Sequence, residues 1–275
     1  MARPQAVGVI AELWRFPVKS MAGEKVEEAF ITGQGLLGDR GYALLDVQVD
    51  DLVSASNRHF PGLMNWGATF LEPPRLDSPL PAVRVTSPDG ASAASDTPAL
   101  PELLSSHFGR RVRLVRAMPD AYRRRQAAFF AGVGLECIAP AGSLVDLGPV
   151  SVISTATLSG LSRAGPGSRL DPRRFRMNLV MATTAEGFVE NAWVGRQLEL
   201  GGQVRLAVAL PDPRCVMTTL AQGDLPKDPV ILRTVAGLNC LPVGAGGPLP
   251  CAGVYATVVR SGLARVGDSV LLTDG

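Results

Sequence analysis

Apolar positions in this chain come in short bursts, and the spacing inside each burst changes from one segment to the next. Val7 to Leu13, Val26 to Ile31 and Tyr42 to Asp46 have the length and composition of strands, with the glycine-rich stretch Gly33 to Gly38 as a turn between the last two. Val83 to Thr86 is a further strand, closed by the turn residues Ser87-Pro88-Asp89-Gly90. The period then shifts. Leu100, Leu103, Leu104 and Phe108 recur at helical spacing, which predicts a helix with Asp96 or Thr97 as N-cap, Pro98 in its first turn and Gly109 as its stop. Val112 to Val115 returns to a strand. Residues 116–145 carry no regular period, and the charge run Arg123-Arg124-Arg125 inside them reads as a solvated face or as an anion contact. The domain boundary is expected in this stretch, giving one domain over 1–120 and a second over 121–275.

The second half opens on the apolar run Val150 to Ile153, which passes directly into Ser154-Thr155 and then Leu158 and Leu161. That is a strand feeding a hydroxyl-capped helix, an arrangement that either caps the helix and nothing more or offers its free amides to an anion. Leu179 to Ala182 is a strand, and Gln197 to Val208 with Gly201-Gly202 at its centre is a tight hairpin. Tyr255 to Val259 and Ser269 to Leu272 are closing strands, the latter after the turn at Gly267-Asp268.

Composition sharpens this picture. The 30 glycines and 22 prolines agree with many short elements joined by turns, a β-rich chain. A net charge of +2 and an aromatic content of 5% argue against a nucleic-acid partner. Only two histidines are present, His59 in a polar loop and His107 on the predicted helix, so a histidine-rich metal site has little material. No apolar run is long enough to span a bilayer, and Met1 to Ile10 lacks the basic start and apolar core of a signal peptide. The expectation is a soluble, cytoplasmic protein.

Four cysteines stand singly, so neither a zinc knuckle nor an iron–sulfur loop is encoded. Cys137, Cys240 and Cys251 have no chemical company in the sequence. Cys215 does, in Pro213-Arg214-Cys215-Val216-Met217-Thr218-Thr219: a guanidinium beside a thiol favours the thiolate, the form that attacks electrophiles or binds a soft metal. A buried, inert cysteine at a strand end is the competing reading. Other polar clusters also interrupt apolar strands: Lys19-Ser20, Gly38-Asp39-Arg40, Asp146, Ser154-Thr155, and Arg176 with Asn178. Arginine forks and lysine suit a phosphate, Asn and Asp suit the edges of a heterocycle, and a thiolate suits a soft metal. Together they describe a phosphorylated heterocyclic ligand that presents a metal.

Read in order, the clusters lie in segments that resemble the MOSC family (molybdenum cofactor sulfurase C-terminal domain) preceded by that family's N-terminal β-barrel domain. The matching pieces are Phe16-Pro17-Val18-Lys19-Ser20, Gly38-Asp39-Arg40, Ser54-Ala55-Ser56 with Pro61 and Leu63, Ile153-Ser154 with Leu158, Arg174-Phe175-Arg176-Met177-Asn178, Glu190 with Trp193, Arg214-Cys215 with Thr218-Thr219, and Gly253-Val254-Tyr255 leading to Gly267-Asp268. The resemblance implies a mainly β fold with a few helices, an N-terminal barrel-like domain followed by a MOSC barrel core. It also implies a molybdopterin cofactor with Cys215 as metal ligand and catalytic residue, and Lys19, Ser20, Arg40, Asp146, Ser154, Arg176 and Asn178 as its phosphate and pterin contacts.

This chain departs from the family pattern at Asn191, Ala221, Leu147-Gly148 and the loop Gly237 to Cys251, all on the expected substrate side. The expected activity is reduction of N-hydroxylated small molecules. A sulfur-transfer protein with a persulfide on Cys215 and a non-catalytic carrier of the cofactor are the alternatives. The Gly33 to Gly38 hexad matches a dinucleotide fingerprint only in letters, since it lies between two strands. With no iron–sulfur cysteine set either, reduction would draw on a separate electron-donor protein, with no membrane partner.

Overall fold

Seven strands close into a barrel whose order in space differs from their order in the chain. The computed structural model describes residues 3–274. Around the ring run Val150–Ser154, Leu179–Ala182, Gln5–Arg15, Ser269–Thr273, Gln197–Leu200, Val204–Pro213 and Pro248–Arg260, which returns to Val150–Ser154. Strand directions cannot alternate all the way around an odd ring, so one pair must be parallel. It is Val150–Ser154 with Leu179–Ala182. Parallel neighbours need a crossover rather than a hairpin, and the helix Thr155–Ala164 provides it.

Alternation does the rest. Leu198 and Leu200, then Val204, Leu206 and Val208, point inward with Ile10, Leu13, Val152, Met181, Val254 and Val270 to make one core. The long strand Pro248–Arg260 bends at Gly253, where φ is 84° and a Cβ would stand 2.2 Å from the Met177 methyl and 2.6 Å from the Val152 carbonyl oxygen. Only glycine fits there.

A second core gathers Val18, Tyr42, Leu44, Phe60, Trp66, Val83, Val85, Leu100, Leu104 and Val112. It is wrapped by small sheets: Ala43–Asp46 between Asp51–Leu52 and Val112–Val115, and Val83–Thr86 between Gly67–Phe70 and Ser92–Ala94. Sequence order and spatial grouping part company at the start of the chain. Gln5–Arg15 is a stave of the large barrel, and Glu28–Thr32 pairs with Gly262–Arg265 near the other end. The larger core therefore draws on residues from both sides of position 120.

The mainly β fold with a few helices agrees with the expectation, and four α-helices lie among the described residues. Two details differ. The helix Ala99–Phe108 has Pro98 at its N-cap with no side-chain cap bond, because the Thr97 hydroxyl donates to the Ala94 carbonyl instead, while Gly109 takes the expected left-handed stop. The stretch 116–145 holds a helix, Asp120–Gly132, that buries no residue fully and so has no apolar stripe to read in the sequence. Arg123, Arg124 and Arg125 are exposed on it, Arg125 paired with Asp51. No helix among the described residues is long and apolar enough to cross a membrane.

Candidate functional site

Basic side chains from three distant segments meet at one end of the barrel. After the first strand, Phe16 to Ser20 turns inward and Lys19 is buried; its ammonium donates to the Leu144 carbonyl at 2.9 Å and pairs with Asp146. Gly38-Asp39-Arg40 folds onto this turn, the Arg40 amide donating to the Phe16 carbonyl (2.7 Å) and Asp39 accepting from the Phe16 amide (2.8 Å). Arg176 follows the short turn Pro172–Phe175 and reaches the Met21 carbonyl at 2.6 Å, while Arg40 donates to the Arg176 carbonyl at 3.1 Å. Both guanidiniums lie over the Phe16 ring, at 4.4 and 4.3 Å from its centre.

Ser20, Arg40 and Arg176 all take left-handed backbone, with φ of 67°, 46° and 54°. Side-chain-bearing residues avoid that region, and where several are held in it together the surrounding structure is enforcing a geometry. Among the described residues only Asp50 and Asp77 share the property elsewhere.

Arg214 adds a fourth cation. Its guanidinium donates to the Phe175 carbonyl at 2.5 Å and is paired with the buried Asp212. Cys215 follows it, exposed, at the head of the turn Val216–Thr219. The two threonine hydroxyls are occupied in that turn, Thr218 donating to the Cys215 carbonyl (3.0 Å) and Thr219 to the Val216 carbonyl (2.7 Å). Arg174, fully buried, braces the same segment by donating to the carbonyls of Arg169 and Pro226 (each 2.8 Å), Leu220 (3.3 Å) and Thr218 (3.4 Å).

Crowded cations shape the titration of the site. Burial, then the neighbouring Arg40 charge, brings Arg176 down to about 9. Asp146 has one side open to solvent, yet packing around it works against its charge; the Lys19 ammonium, then Arg40 and Arg176, outweigh that and hold the carboxyl below the usual range. Asp212 goes the other way, pushed up to about 6 by burial against the pull of Arg214. The Tyr255 phenol, on the neighbouring strand, is raised by burial and by Asp212. Gly148 lets the tyrosine lie close, since a Cβ there would be 2.9 Å from its ring.

Lys19, Ser20, Arg40, Asp146, Arg176 and the Arg214-Cys215 pair are thus neighbours, from segments as far apart in sequence as 19 and 215. Ser154 and Asn178 are not free to join them. Ser154 is buried in the barrel wall, accepting from the Thr157 amide and donating to Glu190 at 2.7 Å. Asn178 accepts from the Ser151 amide and hydroxyl, both at 3.1 Å, and donates to the Trp14 carbonyl at 3.3 Å, clasping three staves. A polar residue beside an apolar run is equally the signature of such a clasp, which is why the sequence groups them with the ligand contacts. Asp212 and Tyr255 are the site residues that sequence reasoning passed over; the one hint is an acid set between two prolines at a strand end. Two surface concavities of about 680 and 620 Å³ lie elsewhere, the first beside Arg113 and Arg116, the second beside Gln5 to Val9 and Trp193.

Among the described residues Glu190 has no cation to pair with. Burial raises its carboxyl, only partly offset by the hydroxyls of Ser154 and Thr157. A carboxyl raised in the folded state contributes stability that is full below its unfolded value and is lost as pH rises through the folded one. Glu190→Gln is therefore expected to flatten the decline in stability above about pH 4.5, its ordinary value. Urea midpoints of both proteins between pH 4 and 8 check this, and parallel curves would count against it.

The MOSC domain model matches residues 142–271, and the MOSC N-terminal beta barrel domain model matches residues 7–102. The chain belongs to the MOSC domain proteins that carry this N-terminal domain. It is similar to mitochondrial amidoxime-reducing component 1 of Mus musculus, 25% identical over 307 residues that cover 98% of this chain and 84% of the relative. Mitochondrial amidoxime reducing component 2 of Bos taurus is 27% identical over 293 residues, again covering 98% and 84%. In fold, the chain is similar to the YUAD protein from Bacillus subtilis, with a TM-score of 0.50 at 11% identity over the full length of both.

Proposed function

We propose that this chain holds a molybdenum cofactor on the Cys215 face and reduces N-hydroxylated compounds with electrons from a separate electron-donor protein. The observation that carries the reading is an exposed thiol set beside a cluster of converging cations. No group of three metal-ligating side chains forms among the described residues, so a metal at Cys215 would bring its other ligands with it. That suits a metal already held by two dithiolene sulfurs. The residues present fit such a group in other ways: the Arg214 Nε and Asp212 Oδ1 are buried without partners, and Lys19, Arg40 and Arg176 offer phosphate-binding charge. Cys215 would hold the metal, Lys19, Ser20, Arg40 and Arg176 the phosphate and pterin, and Asp146 the pterin edge. Bound there, the cofactor would supply two-electron redox chemistry.

The names of the relatives support an amidoxime-type substrate. A separate donor is supported by the hairpin that contains the glycine hexad: Gly35 and Leu36 pair back onto Thr32 and Ile31, so no helix N-terminus stands there for a dinucleotide.

The test is metal analysis and turnover of protein from a molybdopterin-producing host, with reduced viologen as donor and an N-hydroxylated amidine as substrate. The expected result is about one molybdenum per chain and amine formation, with no oxidation of NADH by the protein alone. Lys19→Ala and Arg176→Ala are expected to weaken cofactor retention roughly ten- to a hundred-fold, each losing a charge-assisted contact. Arg124→Ala, on the exposed face of its helix, is expected to retain the metal. Molybdenum without turnover would make the protein a carrier; persulfide on Cys215 without molybdenum would make it a sulfur-transfer protein.

A further inference from the structure

Asp212 is a buried acid of the site that keeps one carboxylate oxygen unpartnered beside its ion pair with Arg214. It occupies an irregular step in the barrel, between Pro211, paired with Val254, and Pro213, paired with Cys251. The side chain is 1% exposed, on the Tyr255 and Cys251 side of the neighbouring strand rather than in the barrel core. One oxygen is paired with Arg214; the other, Oδ1, has no hydrogen-bond partner. The groups facing it are Arg214 from its own strand, Tyr255 and Cys251 from the neighbouring strand, and Arg40 from the turn after Leu36. The Tyr255 phenol lies beside it and eases its charge. Other acids nearby are occupied: Asp146 holds Lys19, Asp39 holds Arg40 and the Phe16 amide, and Glu190 lies behind Ser154.

We infer that Asp212, with Tyr255 beside it, is the internal proton source of the site and protonates the oxygen released from an N-hydroxylated substrate. The inference rests on the reductase reading above. In the overall step R–NH–OH, two electrons and two protons give R–NH2 and water. The N–O bond breaks, its pair leaving with oxygen, and the pair delivered by the electron-donor protein or reduced dye stays on nitrogen. The oxygen takes the Asp212 proton and departs as water; nitrogen takes the second proton from solvent, which also reloads the carboxylate. An acid that titrates close to the working pH is the efficient choice for such a transfer, and Asp212, raised to about 6, meets that condition where Asp146, held low, does not.

The test combines three readouts on wild type, Asp212→Asn and Asp212→Glu. Metal content and KM are expected to stay within about threefold in the Asn variant while kcat falls roughly a hundred-fold or more. Wild-type kcat should decline as pH rises through about 6, because the acid must be protonated; that limb should vanish in the Asn variant and return in the Glu variant. Carbon NMR of wild-type protein labelled at aspartate carboxyls should show one residue titrating near 6 that Asp212→Asn removes. The inference is overturned if the Asn variant keeps its kcat or its pH limb, if it loses the metal along with activity, or if Asp212 titrates near the ordinary aspartate value of about 4. Direct assignment of the Asp212 carboxyl in wild type keeps the inference open to refutation where a variant does not fold, since a value near 4 overturns it. Wild-type protein that holds no molybdenum or turns over no substrate fails the reductase reading itself, and the proton-source role falls with it, whatever the titration gives.

Discussion

Cys215→Ser is expected to abolish metal-dependent turnover while leaving the fold intact. The side chain is exposed and makes no cap bond at the head of the Val216–Thr219 turn, so its replacement by a near-isosteric hydroxyl removes no packing. The unfolding free energy should stay within about 0.5 kcal/mol of wild type. Sulfur is a soft ligand suited to such a metal, and a serine hydroxyl is a hard one that is not. Molybdenum bound per chain and amine formation are the measurements. Retained metal together with unchanged turnover in the Ser variant would exclude Cys215 as the ligand.

The largest effect on stability is expected at Arg174. Truncation to alanine empties a fully buried side-chain position and leaves the carbonyls of Arg169, Thr218, Leu220 and Pro226 without their donor. Orphaned buried acceptors cost about 1–3 kcal/mol each, with partial relief from water entering the gap, so a net loss of about 3 kcal/mol or more is expected. Arg174→Lys should recover part of this, since an ammonium reaches some but not all of the carbonyls. Urea unfolding of the two variants against Arg163→Ala, on the exposed side of its helix, measures it. A loss below about 1 kcal/mol for Arg174→Ala would show that the segment after Cys215 is held by other contacts.

The pattern of the chain discloses those parts of the fold that local periodicity records. The hairpin Gln197–Leu200 with Val204–Pro213 and the strand–helix passage at Ser154 are legible because one face is buried and the other is not. Closure of the barrel by Gln5–Arg15 is not, since pairing with Leu179–Ala182 and Ser269–Thr273 leaves no mark on either partner's local pattern. The first half of Pro248–Arg260 is hidden too, because two prolines and Gly253 interrupt the strand signal there. In the site, the cations are visible in the sequence because Lys and Arg rarely interrupt apolar runs without a purpose. Asp212 is nearly hidden for the opposite reason: the groups that bury it come from Pro248–Arg260, Arg40 and Arg214, mostly far away in the chain, and a single acid has no period.

The barrel's first stave also sets the order of events at the ribosome. Gln5–Arg15 leaves the exit tunnel long before its partners, Leu179–Ala182 and Ser269–Thr273, have been made. Until Ser269–Thr273 has emerged, the inward side chains Ile10 and Leu13 have no finished interior to enter. Contacts this distant in the chain make for late, slow ring closure and for an apolar strand that waits in the open. A nascent chain stalled before Ser269 should therefore remain a client of chaperones, and loss of the final strand alone should leave the opening residues sticky.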